Sequence, residues 1–368
     1  MEYVVCHRVV ADGILIATPG QTVPLETARE WARLGYVQDE ALFDPRVGAP
    51  PRKRGGVRCA FIGVSPALGS EYKYHQMFAR VADCSWTPET GGTDYDIAIV
   101  HGDNRNDYTA ALAMGRPYIL VVQDVLSMRS GCDRLDSERE QVESAGAILF
   151  TSEDHRDWMA ERYALPPHEI VHLRPLASDL VTPTAPKIPR SAVYAGGVLP
   201  ARFAREELGG LYGYRCYHSL FRAILGAGWD VHIYPGYGQR DSTEYEALGC
   251  VWHDQLPQRS LYEELSHYAV GIQAYAKTGP QAYIKTCRPN KLWDYLTAGI
   301  PTLGYNTGNG ARLYHGRWGV AVDSLKAIPG ALERASGIQI TPELQESQTM
   351  DGDLEKFARL VEVAGAAL

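Results

Sequence analysis

An α/β protein with two parallel sheets in tandem, preceded by a small α+β appendage, is the fold that the sequence predicts. Short continuous apolar runs alternate with amphipathic segments of helix length, and they do so in two series. A Pro/Thr-rich stretch, LVTPTAPKIPRS, separates the series. The length of 368 residues exceeds one ordinary core and suits two domains of about 150 residues each with something small added.

Residues 1–45 read as the small unit. VVCHRVV and ILIAT flank Ala11-Asp12-Gly13, a turn of the Asp-Gly hairpin type, and LETAREWARLGYV follows with apolar residues at helical spacing. The run GAPPRKRGG then breaks all periodicity and marks a boundary near residues 46–56. Residues 57–185 hold the first series: VRCAFIGV, YKYHQMFARVA, DIAIVHG, DYTAALAMG, PYILVVQD, REQVESAG, AILFTS, EDHRDWMAERYA and EIVHLRP. Apolar runs this short, set between helix-length segments, are parallel strands buried on both faces. Residues 190–350 repeat the pattern from SAVYAGG through WDVHIYPG, VGIQAY, KLWDYLTAG, PTLGYN and WGVAV. Each half is therefore a doubly wound, Rossmann-like sheet. DLEKFARLVEVAGAAL, within 351–368, is a terminal amphipathic helix.

With 45% hydrophobic, 22% charged and 10% aromatic residues the composition is that of a globular protein, and no apolar run approaches the ~20 residues of a membrane span. The start, MEYVVCHRVVADG, lacks the basic flank and long apolar stretch of a secretory leader. Seven cysteines lie far apart with no CxxC pair, which leads us to expect a reducing cytoplasm. A net charge of -8 gives no global attraction for polyanions. Arg52, Lys53, Arg54 and Arg58 form a local basic cluster, read either as a solvated linker or as a nucleic-acid contact.

Two motifs mislead. His168-Glu169-Ile170-Val171-His172 spells HExxH, but it stands where the alternating series demands a strand. On a strand, positions i and i+4 are about 13 Å apart, too far for one zinc ion to bridge. Asp94-Tyr95-Asp96 resembles a metal-holding DxD, yet it leads straight into the buried run IAIVHG, so Asp96 reads as a strand entrance.

Ligands of open parallel sheets bind outside the carboxyl ends of the strands. In the second half the first such loop is Gly196-Gly197-Val198-Leu199-Pro200-Ala201-Arg202, where glycines admit a phosphate and Arg202, with Arg205 behind it, offers charge. Next comes CRPNKLWDYLTAGIPTLGYNTGNGARL, in which Arg288 and Lys291 suit a diphosphate and Asp294 suits a ribose diol. The lesser alternative is an ion pair between Lys291 and Asp294 on one helix face. The loop Asn306-Thr307-Gly308-Asn309-Gly310 opens a helix at Ala311 whose free N–H groups would receive an anion.

These residues carry a resemblance. PNKLWDYLTAGIPTLGYNTG is similar to the donor-binding segment of GT-B glycosyltransferases, especially the retaining group called family four, with its Lys-x-x-Glu-Tyr-x-x-x-Gly-x-Pro pattern. AILFTSEDHRDWMAERYALPPHEIVHLRPLASD, VYAGGVLPAR and GCVWHDQLPQRSLYEELSHYAVGIQAY extend it over residues 57–345, leaving residues 1–45 outside. The resemblance implies that Asp294 takes the place of the ribose-binding Glu, Arg202 that of the diphosphate-binding Lys, and that His253 lies in the base-binding loop. Two departures stand out: Gly197 where the family has Arg, and Thr286 where it has the first Glu of a Glu-x7-Glu pair.

The implied activity is transfer of a sugar from a nucleotide-sugar, expected to be a UDP-sugar, without a cofactor or obligatory metal. The second half holds the donor and the first half the acceptor, with the terminal helix crossing back onto the first. By position at strand ends, His101, Asp103 and Asp124 are the acceptor-side candidates for catalysis. The N-terminal unit looks like modules of phage proteins, which makes a hydroxymethylated base in phage DNA a candidate acceptor in a host cytoplasm. A UDP-sugar 2-epimerase and a non-catalytic nucleotide-sugar binding protein are rivals on the same architecture.

Overall fold

The computed structural model describes residues 2–4, 9–11, 14–17, 22–24, 56–62, 69–87, 95–102, 115–132, 135–182, 186–200, 215–236, 241–277 and 280–366. At the N-terminus β1 (Glu2–Val4) pairs antiparallel with β4 (Thr22–Pro24), and β2 (Val9–Ala11) with β3 (Ile14–Ala17). Both arms of the hairpin expected around Asp12-Gly13 are thus present. The helix expected over LETAREWARLGYV and the cluster Arg52, Lys53 and Arg54 lie outside the described residues.

The first sheet contains β5 (Arg58–Ile62), β6 (Asp83–Thr87), β7 (Ile97–His101), β8 (Tyr118–Val122), β9 (Ala147–Phe150) and β10 (His168–Ile170), in the order β10-β9-β8-β7-β5-β6. All its pairings are parallel. Every residue of β7, β8 and β9 is buried, as unbroken apolar runs require when helices cover both faces. β6 is absent from the sequence reading: DCSWT is short, partly polar and at the sheet edge.

The second sheet contains β11 (Ile188–Gly196), β12 (Asp230–Pro235), β13 (Val251–Trp252), β14 (Tyr268–Ala274), β15 (Thr302–Tyr305) and β16 (Gly319–Val322), in the order β13-β12-β11-β14-β15-β16. Its pairings too are all parallel. The strand order reverses between β11 and β14, so the crevice at their carboxyl ends is where this topology receives a ligand.

HExxH lies on β10 and the residues just after it. His168 Nδ1 approaches Pro166 O, whereas His172 Nδ1 approaches Thr151 O; the two rings serve different partners. Asp96 accepts hydrogen bonds from the backbone N–H and guanidinium of Arg58, which ties the entrance of β7 to β5.

Helices at the seam join the halves. We label α1 (Gly69–Phe78), α2 (Leu126–Ser130), α3 (Glu153–Ala160), α4 (Gln258–Leu265), α5 (Gln281–Thr286), α6 (Asn290–Thr297) and α7 (Leu354–Gly365). α7 lies on the first sheet, burying Phe357, Leu360, Val361 and Ala364. Phe357 meets Phe78 of α1 edge-on at 4.9 Å. Ion pairs Arg80–Asp351 and Arg174–Asp353 fasten its approach, and Arg359 donates to Glu169 of β10 at 2.6 Å. Leu292, Trp293 and Leu296 of α6 belong to the same apolar cluster, so a second-half helix helps to close the first half's core. None of the described helices is long and apolar enough to cross a membrane.

The opposite face of α6 sits on the second sheet at the reversal. Tyr295 donates to Ile272 O of β14 at 2.8 Å and accepts from Ala195 N of β11 at 3.1 Å. Its ring lies over Gly271, where a Cβ would come within 2.3 Å of Tyr295 Cγ. Gly271→Ala should therefore overpack this contact and lower stability by about 1–3 kcal/mol in urea unfolding.

Candidate functional site

At the reversal, β11 ends in Gly196, whose φ of 129° belongs to the region glycine favours. Lys291, in the first turn of α6, brings Cε and Nζ to 3.4 Å from the position a Gly196 Cβ would take. The same ammonium lies 4.7 Å over the Tyr194 ring, and Tyr194 OH donates to Gly197 O at 2.9 Å. α6 has Pro289 at its N-cap with no side-chain capping bond; Leu292 N–H donates to Pro289 O at 3.2 Å, while the N–H groups of Asn290 and Lys291 have no acceptor among the described residues. Among the described residues Lys291 has no carboxylate partner. An unneutralised cation, an uncapped helix start and a side-chain-free strand end thus converge on one point, which is the electrostatic pattern of an anion site. Arg202 and Arg205 lie outside the described residues.

The other two charges of this segment have partners across the seam. Asp294 is buried; its Oδ1 accepts from Lys73 Nζ of α1 at 3.2 Å and from Gln258 Nε2 of α4 at 3.0 Å. It is paired with Lys73 rather than with Lys291, because a carboxylate so little exposed needs a cation. Arg288 donates to Glu153 Oε2 at 2.8 Å and to Asp154 Oδ2 at 3.2 Å, in the first turn of α3. Its charge is matched across the seam.

The glycine turn opens a helix at Ala311, as expected, and is closely packed. Thr307 is buried with its hydroxyl 2.9 Å from Tyr314 OH, and Gly308 has a φ of 53°. A Cβ on Gly308 would lie 2.5 Å from Lys285 Cα, and one on Gly310 would lie 3.1 Å from Cys287 O. These glycines let the turn holding Asn309 pass close to α5. The helix beyond is a single turn, Ala311–Tyr314, too short to gather the dipole expected of it.

His253 follows β13 and stacks on Tyr234, with ring centroids 4.4 Å apart and planes 5° from parallel. Its Nε2 is 2.9 Å from His232 Nδ1, and burial holds its pKa below the usual histidine range. Thr286 turns its hydroxyl back to Ala282 O at 3.0 Å.

On the first half, His101 ends β7 and is buried, its Nδ1 3.2 Å from Gln123 Nε2. Asp124, just past β8, accepts from Tyr283 OH of α5 at 2.9 Å and from Arg129 at 3.2 Å, so it faces the second half. Asp103 lies outside the described residues. Sequence reasoning missed His155 in the first turn of α3. It is fully buried, and neither ring nitrogen has a hydrogen-bond partner. Burial pulls its pKa down to about 4. Its segment EDHRDW reads only as an amphipathic helix start, with Ser152 Oγ accepting from His155 N at 3.1 Å as the N-cap.

Comparison with solved structures finds likeness over most of the chain. The Anabaena protein Alr3699/HepE, crystallised in complex with UDP, superposes with a TM-score of 0.55 at 9% identity, covering 85% of this chain and all of that one. AviGT4, a glycosyltransferase involved in avilamycin A biosynthesis, gives a TM-score of 0.50 at 14% identity and covers 99% of this chain and 97% of its own. No protein-family model and no curated protein matches the sequence. At these identities the likeness shows the fold: two six-stranded parallel α/β domains of the GT-B type.

Two outcomes follow from this geometry. Lys73→Met leaves the Asp294 carboxylate buried without its cation and should cost about 3–5 kcal/mol in urea unfolding, with Lys73→Met/Asp294→Leu recovering much of the loss. His155 has its pKa depressed from 6.5 to about 4, so the unfolded chain takes up the proton first. Its contribution is fully present above pH 6.5 and is lost as pH falls toward about 4, so His155→Asn should flatten that part of the stability profile.

Proposed function

We propose that this chain is a glycosyltransferase that moves a sugar from a nucleotide-sugar, UDP-linked, to an acceptor hydroxyl across the seam between its halves. The observation that carries the proposal is Lys291: a cation without a carboxylate partner among the described residues, at the uncapped start of α6, touching the glycine end of β11 at the reversal of strand order. A diphosphate seated there receives the open N–H groups and the ammonium together. As the bond to the sugar breaks, the charge gathering on the leaving diphosphate falls on these same donors, which stabilise it without rearranging. Arg202, five residues after Gly197 in the sequence, belongs to this set in the proposal. A metal does not.

UDP as the nucleotude rests on HepE, which was crystallised with UDP. Sugar transfer as the chemistry is supported by AviGT4, a glycosyltransferase of the same fold that matches nearly the whole chain. On the acceptor side the proposal keeps Asp124, whose position past β8 and bond to Tyr283 put a carboxylate at the seam, with His101 at the adjacent strand end and Asp103 two residues later in the sequence. The donor set is narrower than the sequence suggested, since Arg288 and Asp294 are bound to the first half.

Label transfer decides the reaction. Incubation with radiolabelled UDP-sugars, with and without hydroxymethylated DNA and with small hydroxylated acceptors, should give acceptor-dependent incorporation that survives EDTA. Isomer formation without acceptor would make the chain a 2-epimerase, and nucleotide binding without turnover would make it a binding protein. Incorporation into hydroxymethylated DNA alone would identify the modified base as acceptor. In calorimetric titration with UDP, Lys291→Ala should weaken affinity about tenfold or more, the loss of one charge-assisted bond. Unchanged affinity would remove the diphosphate from this place.

A further inference from the structure

One buried side chain touches both the cation and the backbone of the anion site. Tyr194 of β11 is 1% exposed, so its contacts are made away from water. It packs on the face of the second sheet opposite the one that Tyr295 of α6 covers, and Lys291 reaches its ring only by crossing the strand end at Gly196. The ring faces the Lys291 ammonium at 4.7 Å, while the hydroxyl donates to Gly197 O at 2.9 Å and stands 3.1 Å from Tyr217 OH. A second buried phenol grips the same loop: Tyr245 OH donates to Leu199 O at 2.7 Å. Two carbonyl oxygens that would repel an anion are thus tied to buried hydroxyls.

These contacts matter because a lysine has little direction of its own. Its stem is flexible and its ammonium strongly hydrated, so without a partner it turns into water unless something holds it. Among the described residues no carboxylate pairs with Lys291. What holds it is the room left by the missing Cβ of Gly196, together with the negative face of the Tyr194 ring. A ring attracts a cation without neutralising it, so the charge stays available to an anion. Ordering completed before the ligand arrives does not subtract from its affinity. We propose that Tyr194 is the positioning residue of the anion site: its ring places the Lys291 ammonium, and its hydroxyl keeps the Gly197 carbonyl turned inward. That the anion is the diphosphate of a nucleotide-sugar rests on the reading above; the placement of Lys291 does not. Tyr194 touches no substrate in this assignment and acts through its two neighbours.

The test uses the full chain made with carbon-13 at the lysine ε position. The Lys291 signal, assigned by its absence in Lys291→Ala, is read without ligand. It should lie upfield of the common lysine position, stay there in Tyr194→Phe, which keeps the ring, and return to the common position in Tyr194→Leu. Calorimetric titration with UDP reads the consequence. Tyr194→Phe should weaken binding about fivefold by releasing the Gly197 carbonyl, and by the same factor in the Lys291→Ala background. Tyr194→Leu should weaken it about threefold more than Tyr194→Phe, a difference that vanishes once Lys291 is replaced by Ala. A merely structural role would not make the loss depend on Lys291. Should Tyr194→Leu not fold, the comparison is made with the ring of Tyr194→Phe fluorinated, which keeps its volume and removes the negative face. A Lys291 signal indifferent to the ring, or a loss from removing the ring that persists without Lys291, would overturn the assignment. If the unsubstituted chain leaves UDP unbound while the Lys291 signal still answers to the ring, the donor reading falls and the placement of the ammonium stands.

Discussion

A carboxylate and an ammonium group closed in together between the halves, Asp294 and Lys73, govern how the seam is arranged. The Lys73 side chain is 1% exposed and that of Asp294 10%, so each charge has little water to turn to and each needs the other. Because Asp294 is on α6, the pair fixes how that helix is rotated about its axis. With Asp294 toward α1, Tyr295 points down onto Gly271 and Lys291, one turn earlier, reaches Gly196. Three directions from one helix thus set the first half, the second sheet and the anion site relative to one another.

The remaining charges follow from the same economy of contact. Apolar clusters cross the seam twice, one through Leu292, Trp293 and Leu296, the other through Tyr275, Tyr283 and Ile284 packed with first-half strands. These supply attraction without direction. Direction comes from polar groups that cannot be buried alone: Arg288 against α3, and Tyr283 against Asp124. Once Arg288 and Asp294 are matched in this way, Lys291 keeps a charge that no carboxylate among the described residues cancels. The charge that the seam presents is therefore set by which of its groups the protein neutralises internally.

Much of the fold was legible because burial on both faces leaves a plain signature. Ile97–His101, Tyr118–Val122 and Ala147–Phe150 are apolar almost throughout, and helix-length segments separate them. DCSWT and Val251–Trp252 escaped notice since edge strands carry no such constraint and the second is two residues long. The site was less legible. Spacing placed Lys291 and Asp294 near each other on α6, but the residue that claims Asp294 lies 221 positions away in a helix of ordinary appearance. The glycines at 308 and 310 looked like a cradle for phosphate, whereas they admit the backbone of α5 and the chain after it, a close approach that no local pattern announces. His155 gave no signal because an unpaired imidazole is a property of its surroundings.

The helix Leu354–Gly365 closes one wall of the first sheet's core with Phe357, Leu360, Val361 and Ala364. On the ribosome that sheet emerges long before its last wall is translated. Completing the N-terminal half therefore waits until residues 354–365 have been made, and its exposed apolar face must be shielded in the interval. The order of assembly is inverted: the later-made domain has its own sheet covered first, and the earlier one is sealed last.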